Sequence, residues 1–386
     1  MANDNIGKKS TVCLMKPFLG WLLAVIWQIL PSTAYAGYSS LYVFGDSLSD
    51  SGNNAIVLAP SVTPVPISRN SFIPTYPYAA GTYSNALIWA QTLASMLGLS
   101  ANPSLLGGTD YAFGGAQTGS GLSPPGLETQ AALFLSAQGG VAPGNALYVV
   151  EGGGEDVLHA LAAIPGCGGN PVCVNAIIAL TVASFAGNID DIVVQLEQAG
   201  ASNIVVWNVP DLGDAPALRA LGASPLGTMI ASSMNSALLN AIGGDPDVKL
   251  FDAFGLLDDV VANPSAFGLS NVTDACAQFI SCDPAQYLFW DGIHPTSAVD
   301  PIIGDAILAL VGEVPEPSTF ILLGLALTAL GFARRRQNGS SVSRGIPIPP
   351  TGMPTRLDQG RRLGRDGAAQ ASAQDGTRPS APRNCC

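Results

Sequence analysis

Five short runs in this chain, residues 40–44, 109–113, 147–150, 203–208 and 248–251, are apolar, partly β-branched and bounded by Gly, Pro, Asp or Glu. A strand buried on both faces of a parallel sheet loses its alternation and reads as such a run. Longer stretches lie between them, at 86–97, 179–198, 226–242 and 297–311, with apolar residues at helical spacing. In the first of these they are Leu87, Trp89, Leu93, Met96 and Leu97. Strands that alternate with helices predict an α/β layered domain with a parallel sheet. In such folds chemistry sits on the loops that leave the carboxyl ends of the strands.

Composition narrows the function. The 386 residues are 48% hydrophobic and 11% charged, which excludes a disordered chain. Four lysines and a net charge of −12 exclude a nucleic-acid binder, because phosphate contacts need a basic surface. The basic residues gather at the ends. Between positions 37 and 312 only Arg69, Arg219 and Lys249 face 22 acids. That span is long enough for one large core, and its charge predicts a soluble body with little attraction to anionic membranes.

The ends read as addresses. Residues 1–36 place Lys8, Lys9 and Lys16 before an apolar run at 18–30, then Pro31 and the small-residue site Ala34-Tyr35-Ala36. This is the pattern of a cleaved secretory signal; the run is short for a membrane span of ~20 residues. Residues 313–336 carry Val314-Pro315-Glu316-Pro317-Ser318, an apolar run at 320–333 and Arg334-Arg335-Arg336. The three parts resemble a PEP-CTERM sorting tail. That resemblance implies retention at the inner membrane, a C-terminal sorting protease as partner, and release to the cell surface or extracellular matrix. Such tails normally stop after the basic cluster. Here residues 337–386 follow, rich in Gly, Pro, Ser and Arg, and are expected to be disordered.

Cysteine usage agrees with export. Between the two addresses stand Cys167, Cys173, Cys276 and Cys282, two pairs each spaced C-x5-C. In an oxidising compartment the local disulfides Cys167–Cys173 and Cys276–Cys282 are the simplest of three connectivities. Zinc is the alternative. It is disfavoured because structural zinc sites space cysteines more closely and no histidine lies near either pair. No metal is expected.

The first strand runs into Phe44-Gly45-Asp46-Ser47-Leu48-Ser49-Asp50-Ser51-Gly52-Asn53-Asn54. A serine there is presented at the sheet edge, but it needs a base to become a nucleophile. By itself Ser47 reads equally as a helix N-cap. The chain has two histidines, His159 and His294. Asp291 stands three residues before His294 and can hold its Nδ1–H, leaving Nε2 for the serine proton. His159, at a helix start, has no such partner.

Ser47 in its Gly-Asp-Ser-Leu string, Gly114-Gly115, Gly153-Gly154-Glu155-Asp156 and Asp291 with His294 come in the order of the SGNH or GDSL hydrolases, and the chain resembles that family over nearly all of 37–312. The stretch Gly81-Thr82-Tyr83-Ser84-Asn85 with Trp89 also matches bacterial members. The resemblance implies a three-layer α/β/α domain with a five-stranded, flavodoxin-like parallel sheet. It implies a serine esterase or lipase working through an acyl-enzyme, with no cofactor. Ser47 is then the nucleophile, His294 the general acid–base and Asp291 its orienting partner. The N–H groups of Ser47 and Gly115 become oxyanion donors. No G-x-S-x-G surrounds Ser47, so an α/β-hydrolase elbow does not apply.

One position departs from the family. Its third block is G-x-N-D, whose asparagine amide is the third oxyanion donor; here Glu155 occupies that place, and Glu151 stands where a tryptophan is frequent. An ionised carboxylate accepts hydrogen bonds and does not donate them. Three arrangements fit: Glu155 is protonated and donates, it turns away and leaves two backbone donors, or catalysis has been lost on a kept fold. Two functions follow. One is an exported ester hydrolase acting on lipid esters or O-acetylated polysaccharide. The other is a surface or matrix binding protein on the same fold.

Overall fold

A computed structural model describes residues 37–58, 72–279 and 281–312, together with Leu327 and Leu330. The signal segment 1–36, nearly all of the sorting tail and the 337–386 extension lie outside the described residues.

In chain order the regular elements are β1 (Leu41–Phe44), α1 (Asn53–Leu58), α2 (Trp89–Met96), α3 (Leu127–Ala137), β2 (Leu147–Val150), α4 (Gly154–Ala163) and α5 (Pro171–Gln198). They continue with β3 (Ile204–Trp207), α6 (Pro216–Ala220), α7 (Ser224–Ile242), β4 (Val248–Phe251), α8 (Ala253–Ala262), β5 (Asn271–Ala275), β6 (Tyr287–Phe289) and α9 (Asp300–Gly312).

Strands β1 to β4 form one parallel sheet in that order. Its register pairs Val43 with Val149, Val149 with Val205 and Val205 with Lys249. The expected fifth strand, 109–113, lies along the free edge of β1 but is a single parallel bridge at Val43 and Asp110. Val43 N–H bonds Thr109 O at 3.1 Å, and Tyr111 N–H and Phe113 N–H bond the carbonyls of Val43 and Gly45 at 2.8 and 3.1 Å. Its outer edge meets residues 102–104 at a second parallel bridge, Pro103 with Asp110, and Asn53 Nδ2 donates to the carbonyls of Asp110 and Ala112. With this run counted, the spatial order is the flavodoxin-like 2-1-3-4-5.

Strand residues alternate between two cores. Tyr42, Phe44, Tyr148, Val150 and Val206 pack with Phe134 of α3, Phe185 and Ile189 of α5 and Met234 of α7. Leu41, Val43, Val149, Val205 and Trp207 pack with Leu93 of α2 and Ile303 and Ile307 of α9 on the other side. The sheet is thus the middle of three layers, which is why its strands are apolar on both faces.

Two differences from the sequence reading have local causes. Helix α5 begins at Pro171 rather than 179, because Asn170 caps Val172 N–H at 2.9 Å and Pro171 suits the first helical position. The parallel pair β5 and β6 is short and partly polar, so it gives no apolar run. Helices α3 and α8 were also not expected. The cysteines pair as Cys167–Cys173 and Cys276–Cys282, the second bridging the loop between β5 and β6.

Candidate active site

The carboxyl end of β1 delivers Ser47 to the sheet edge. Gln130 of α3 clamps the turn before it, accepting from Gly45 N–H at 2.8 Å and donating to Gly45 O at 2.9 Å. The Asp46 carboxylate accepts from Leu48 N–H at 3.0 Å. Asp50 then ties two blocks together. Its carboxylate accepts from the N–H groups of Gly52, Asn53 and Asn54 at the start of α1, and from Gly114 N–H at 2.9 Å. Asn54 Nδ2 returns bonds to Gly114 O and Tyr83 OH, both at 2.8 Å. Gly115 follows with φ +83°, a left-handed conformation that favours glycine.

Asp291 and His294 come from the turn after β6, held by Trp290 N–H on His294 O at 2.8 Å. Four donors converge on the Asp291 carboxylate: Ile293 N–H at 2.9 Å, His294 N–H at 2.8 Å, His294 Nδ1–H at 2.8 Å and Tyr78 OH at 3.0 Å. With Nδ1–H so engaged, Nε2 is left to accept, and Ser47 Oγ lies 2.7 Å from it. Ser47, His294 and Asp291 are 6%, 2% and 0% exposed, so this chain of hydrogen bonds is shielded from water. Burial disfavours the charged imidazole, but the charge and hydrogen bond of Asp291, with Asp46 and Glu155 behind them, outweigh it and raise the His294 pKa above its ordinary value.

Ser47, Gly115, Glu155 and His294 all line one cleft of about 780 Å³. Glu155 opens α4 at the carboxyl end of β2 and also lines a smaller pocket on the other side of Ser47. Its carboxyl makes no hydrogen bond with another described residue. Burial raises its pKa, His294 lowers it and Asp156 raises it again. His159 is exposed and borders a separate groove with Asp156 and Leu180.

Sequence reasoning assigned no role to several groups here. Glu151 is 1% exposed and accepts from Ser49 Oγ–H at 2.7 Å and Asp46 N–H at 3.3 Å. Burial, then the neighbouring Asp46, pushes its carboxyl well above the usual range. Asp46 itself rises to about 7 through burial, opposed by its bond from Leu48 and assisted by Glu155. Tyr78, Tyr83 and Gln130 were missed as well. Glu151 was visible only as a departure from the family pattern and Tyr83 only within a matching stretch, while Asp50 stood as an acid just ahead of a helix start.

Comparison with known proteins gives the family. A C-terminal match to the PEP-CTERM protein-sorting motif covers residues 313–337. An esterase of Pseudomonas aeruginosa is 27% identical over 77% of this chain and 50% of its own length. An Arabidopsis thaliana GDSL esterase/lipase is 27% identical over 67% of this chain and 85% of its own length. An uncharacterised Pseudomonas putida protein is matched over 62% of its length, so the chain spans only about half to three fifths of these bacterial relatives. The solved structure of LAE5, an alpha/beta hydrolase enzyme from a lake metagenome, aligns with a TM-score of 0.41 at 16% identity, over 73% of this chain and 98% of that one. The profile of the GDSL-like lipase/acylhydrolase family matches residues 41–307, more than half of the sequence and all of the site just described; the chain belongs to that family.

Proposed function

We propose that this protein is an exported carboxylic ester hydrolase that works through an acyl-enzyme on Ser47. The observation that carries the reading is the buried line from Asp291 through His294 to Ser47 Oγ, with contacts of 2.8 and 2.7 Å at the carboxyl end of β1. In this reading Ser47 Oγ attacks the ester carbonyl while its proton passes to His294 Nε2. Asp291 holds the imidazolium that results. His294 then gives the proton to the departing alkoxide, and the alcohol leaves. Water, deprotonated by His294, attacks the acyl-Ser47 ester; His294 returns the proton to Ser47 Oγ as the acyl–oxygen bond breaks, and the carboxylic acid is released.

The oxyanion falls to the N–H groups of Ser47 and Gly115 and to Glu155. In this reading Glu155 serves as a protonated donor: burial and Asp156 favour the neutral acid and no described residue donates a hydrogen bond to it, while the charge of His294 opposes its protonation. No cofactor takes part. The sorting motif supports passage through a C-terminal sorting system at the inner membrane, with the body delivered outside.

The test is hydrolysis of a nitrophenyl acetate by the purified protein, with Ser47→Ala beside it. Release that depends on Ser47 is the expected result. A folded protein with no release above the Ser47→Ala blank, across short and medium acyl chains, would favour a binding protein on this fold.

A further inference from the structure

The steps of ester cleavage leave a buried acid beneath the nucleophile without a task. Glu151 follows β2, is 1% exposed, and lies under the turn that carries Ser47. Its Oε2 accepts from Asp46 N–H at 3.3 Å and from Ser49 Oγ–H at 2.7 Å. It therefore grips the chain one residue before the nucleophile and two residues after it. Both donors are buried themselves, so losing their acceptor would cost each its hydrogen bond with little water to replace it. Glu151 N–H in turn bonds Phe44 O at 2.9 Å, which fastens the acid to the strand that delivers Ser47. The fit is close. A Cβ at position 45 would stand 2.6 Å from Glu151 Oε2 and 2.8 Å from Ser49 Oγ, so Gly45 is what lets the carboxyl group reach the turn.

Resting on the esterase reading, we infer that Glu151 is a positioning residue for the nucleophile: its buried carboxyl group braces residues 46–49 and so aims Ser47 N–H at the oxyanion and Ser47 Oγ at His294. Glu151 lines neither the cleft nor the pocket beside Ser47, so it acts through the turn and not on the substrate. Such bracing matters because an oxyanion donor is effective only when it is held in place before the charge develops. A side-chain hydrogen bond also joins Glu151 to the Asp46 carboxyl group. Two ionised carboxylates offer no donor for such a bond, so one of the pair carries a proton. Burial and the Asp46 charge push Glu151 well up, which puts that proton on Glu151. A neutral Glu151 keeps lone pairs for both of its donors and adds no negative charge beneath the oxyanion.

The experiment compares kcat, KM and Tm of the purified protein with those of Glu151→Leu, Glu151→Gln and Ser49→Ala on one nitrophenyl ester. Glu151→Leu fills the space without an acceptor. It should lower kcat about 30- to 100-fold and leave KM within about threefold, because a displaced oxyanion donor approaches the loss of a missing one. Glu151→Gln keeps a carbonyl for both donors and an N–H for Asp46, and should recover about a third or more of the parent kcat. Ser49→Ala removes only the shorter bond and should lower kcat roughly three- to tenfold, the worth of one hydrogen bond. A folded Glu151→Leu whose Tm falls while kcat stays at the parent value overturns the inference, since that is the mark of a brace for stability alone. Glu151→Gln as slow as Glu151→Leu also overturns it, because the bonds would then not be the working part. Should Glu151→Leu fail to fold, Ser49→Ala decides, and an unchanged kcat there overturns the inference. Each of these results, with a parent whose turnover depends on Ser47, leaves the esterase reading standing. A parent with no Ser47-dependent turnover on any ester removes both.

Discussion

Two carboxyl groups flank His294 in opposite conditions. Asp291 is fully buried but receives four hydrogen bonds, two of them from backbone N–H groups and one from the imidazole itself. Glu155 is less buried, receives none from a described residue, and has its pKa raised chiefly by burial. Burial alone therefore does not set how well a carboxyl group is accommodated. The donors that replace its lost water do. The same rule separates Asp50 from Glu151. Asp50 accepts four backbone N–H bonds and still rises to about 6, while Glu151, with two donors and Asp46 beside it, rises further.

The sharpest way to break this contrast is to remove the charge from the compensated site. Asp291→Asn should keep the fold and lower kcat about 10⁴-fold, the loss seen when the corresponding acid of a serine protease triad becomes an amide. A loss under tenfold would show that the ring is held without the carboxylate. At the uncompensated site, Glu155→Ala should cost about 10²–10³ in kcat, as expected for one lost oxyanion donor. Glu155→Gln keeps a donor that does not titrate. The parent should therefore lose activity as pH rises through the raised Glu155 pKa, and the Gln variant should not. On the acid side both should gain activity as His294 loses its proton, above the ordinary imidazole value. Faster turnover in Glu155→Ala would mean that the group is ionised and that the comparison fails.

Smaller effects refine it. Tyr78→Phe removes one of the four donors to Asp291 and should lower kcat/KM roughly two- to tenfold, the worth of one hydrogen bond. An unchanged value would show that the remaining three suffice. Stability should follow pH in the same sense as the raised acids. Asp46, Asp50 and Asp300 sit at about 7, 6 and 8 in the folded protein, above their unfolded values. The folded state then holds protons that the unfolded chain has already released. The contribution is whole below about pH 4 and is lost as pH rises through 6 to 8. The melting temperature should accordingly be higher at pH 5 than at pH 8. Glu151→Gln, which cannot ionise, should narrow that gap by a few degrees. A Tm that is level across this range would place the buried acids in more polar surroundings than the geometry gives them.

The site was partly legible because its members were scarce. With two histidines in the chain, and Asp291 three residues before one of them, the pairing with Ser47 needed only the order of the blocks. The four sheet strands were legible for a different reason. The first three are continuous apolar runs, the fourth is broken only by Lys249, and β2 and β4 fall at the expected residues. The pair β5 and β6 was not, because Asn271–Ala275 mixes polar and apolar residues on a short strand. Glu151 was seen only as a departure from a pattern. Nothing in its neighbours in sequence reveals Ser49 and Asp46 above it.

By itself, then, the sequence determined the alternation of strand and helix, the strand-end places of Ser47 and Gly115, the acidic body and the C-terminal sorting motif. These are local properties, set by side-chain spacing and composition within a few residues of the chain. Tertiary structure alone decided that Ser47 and His294, 247 positions apart, meet at 2.7 Å. It also decided that four donors converge on Asp291 while no described residue donates to Glu155. Desolvation, hydrogen-bond satisfaction and cavity shape depend on which distant segments the fold packs together, and no local pattern carries that information.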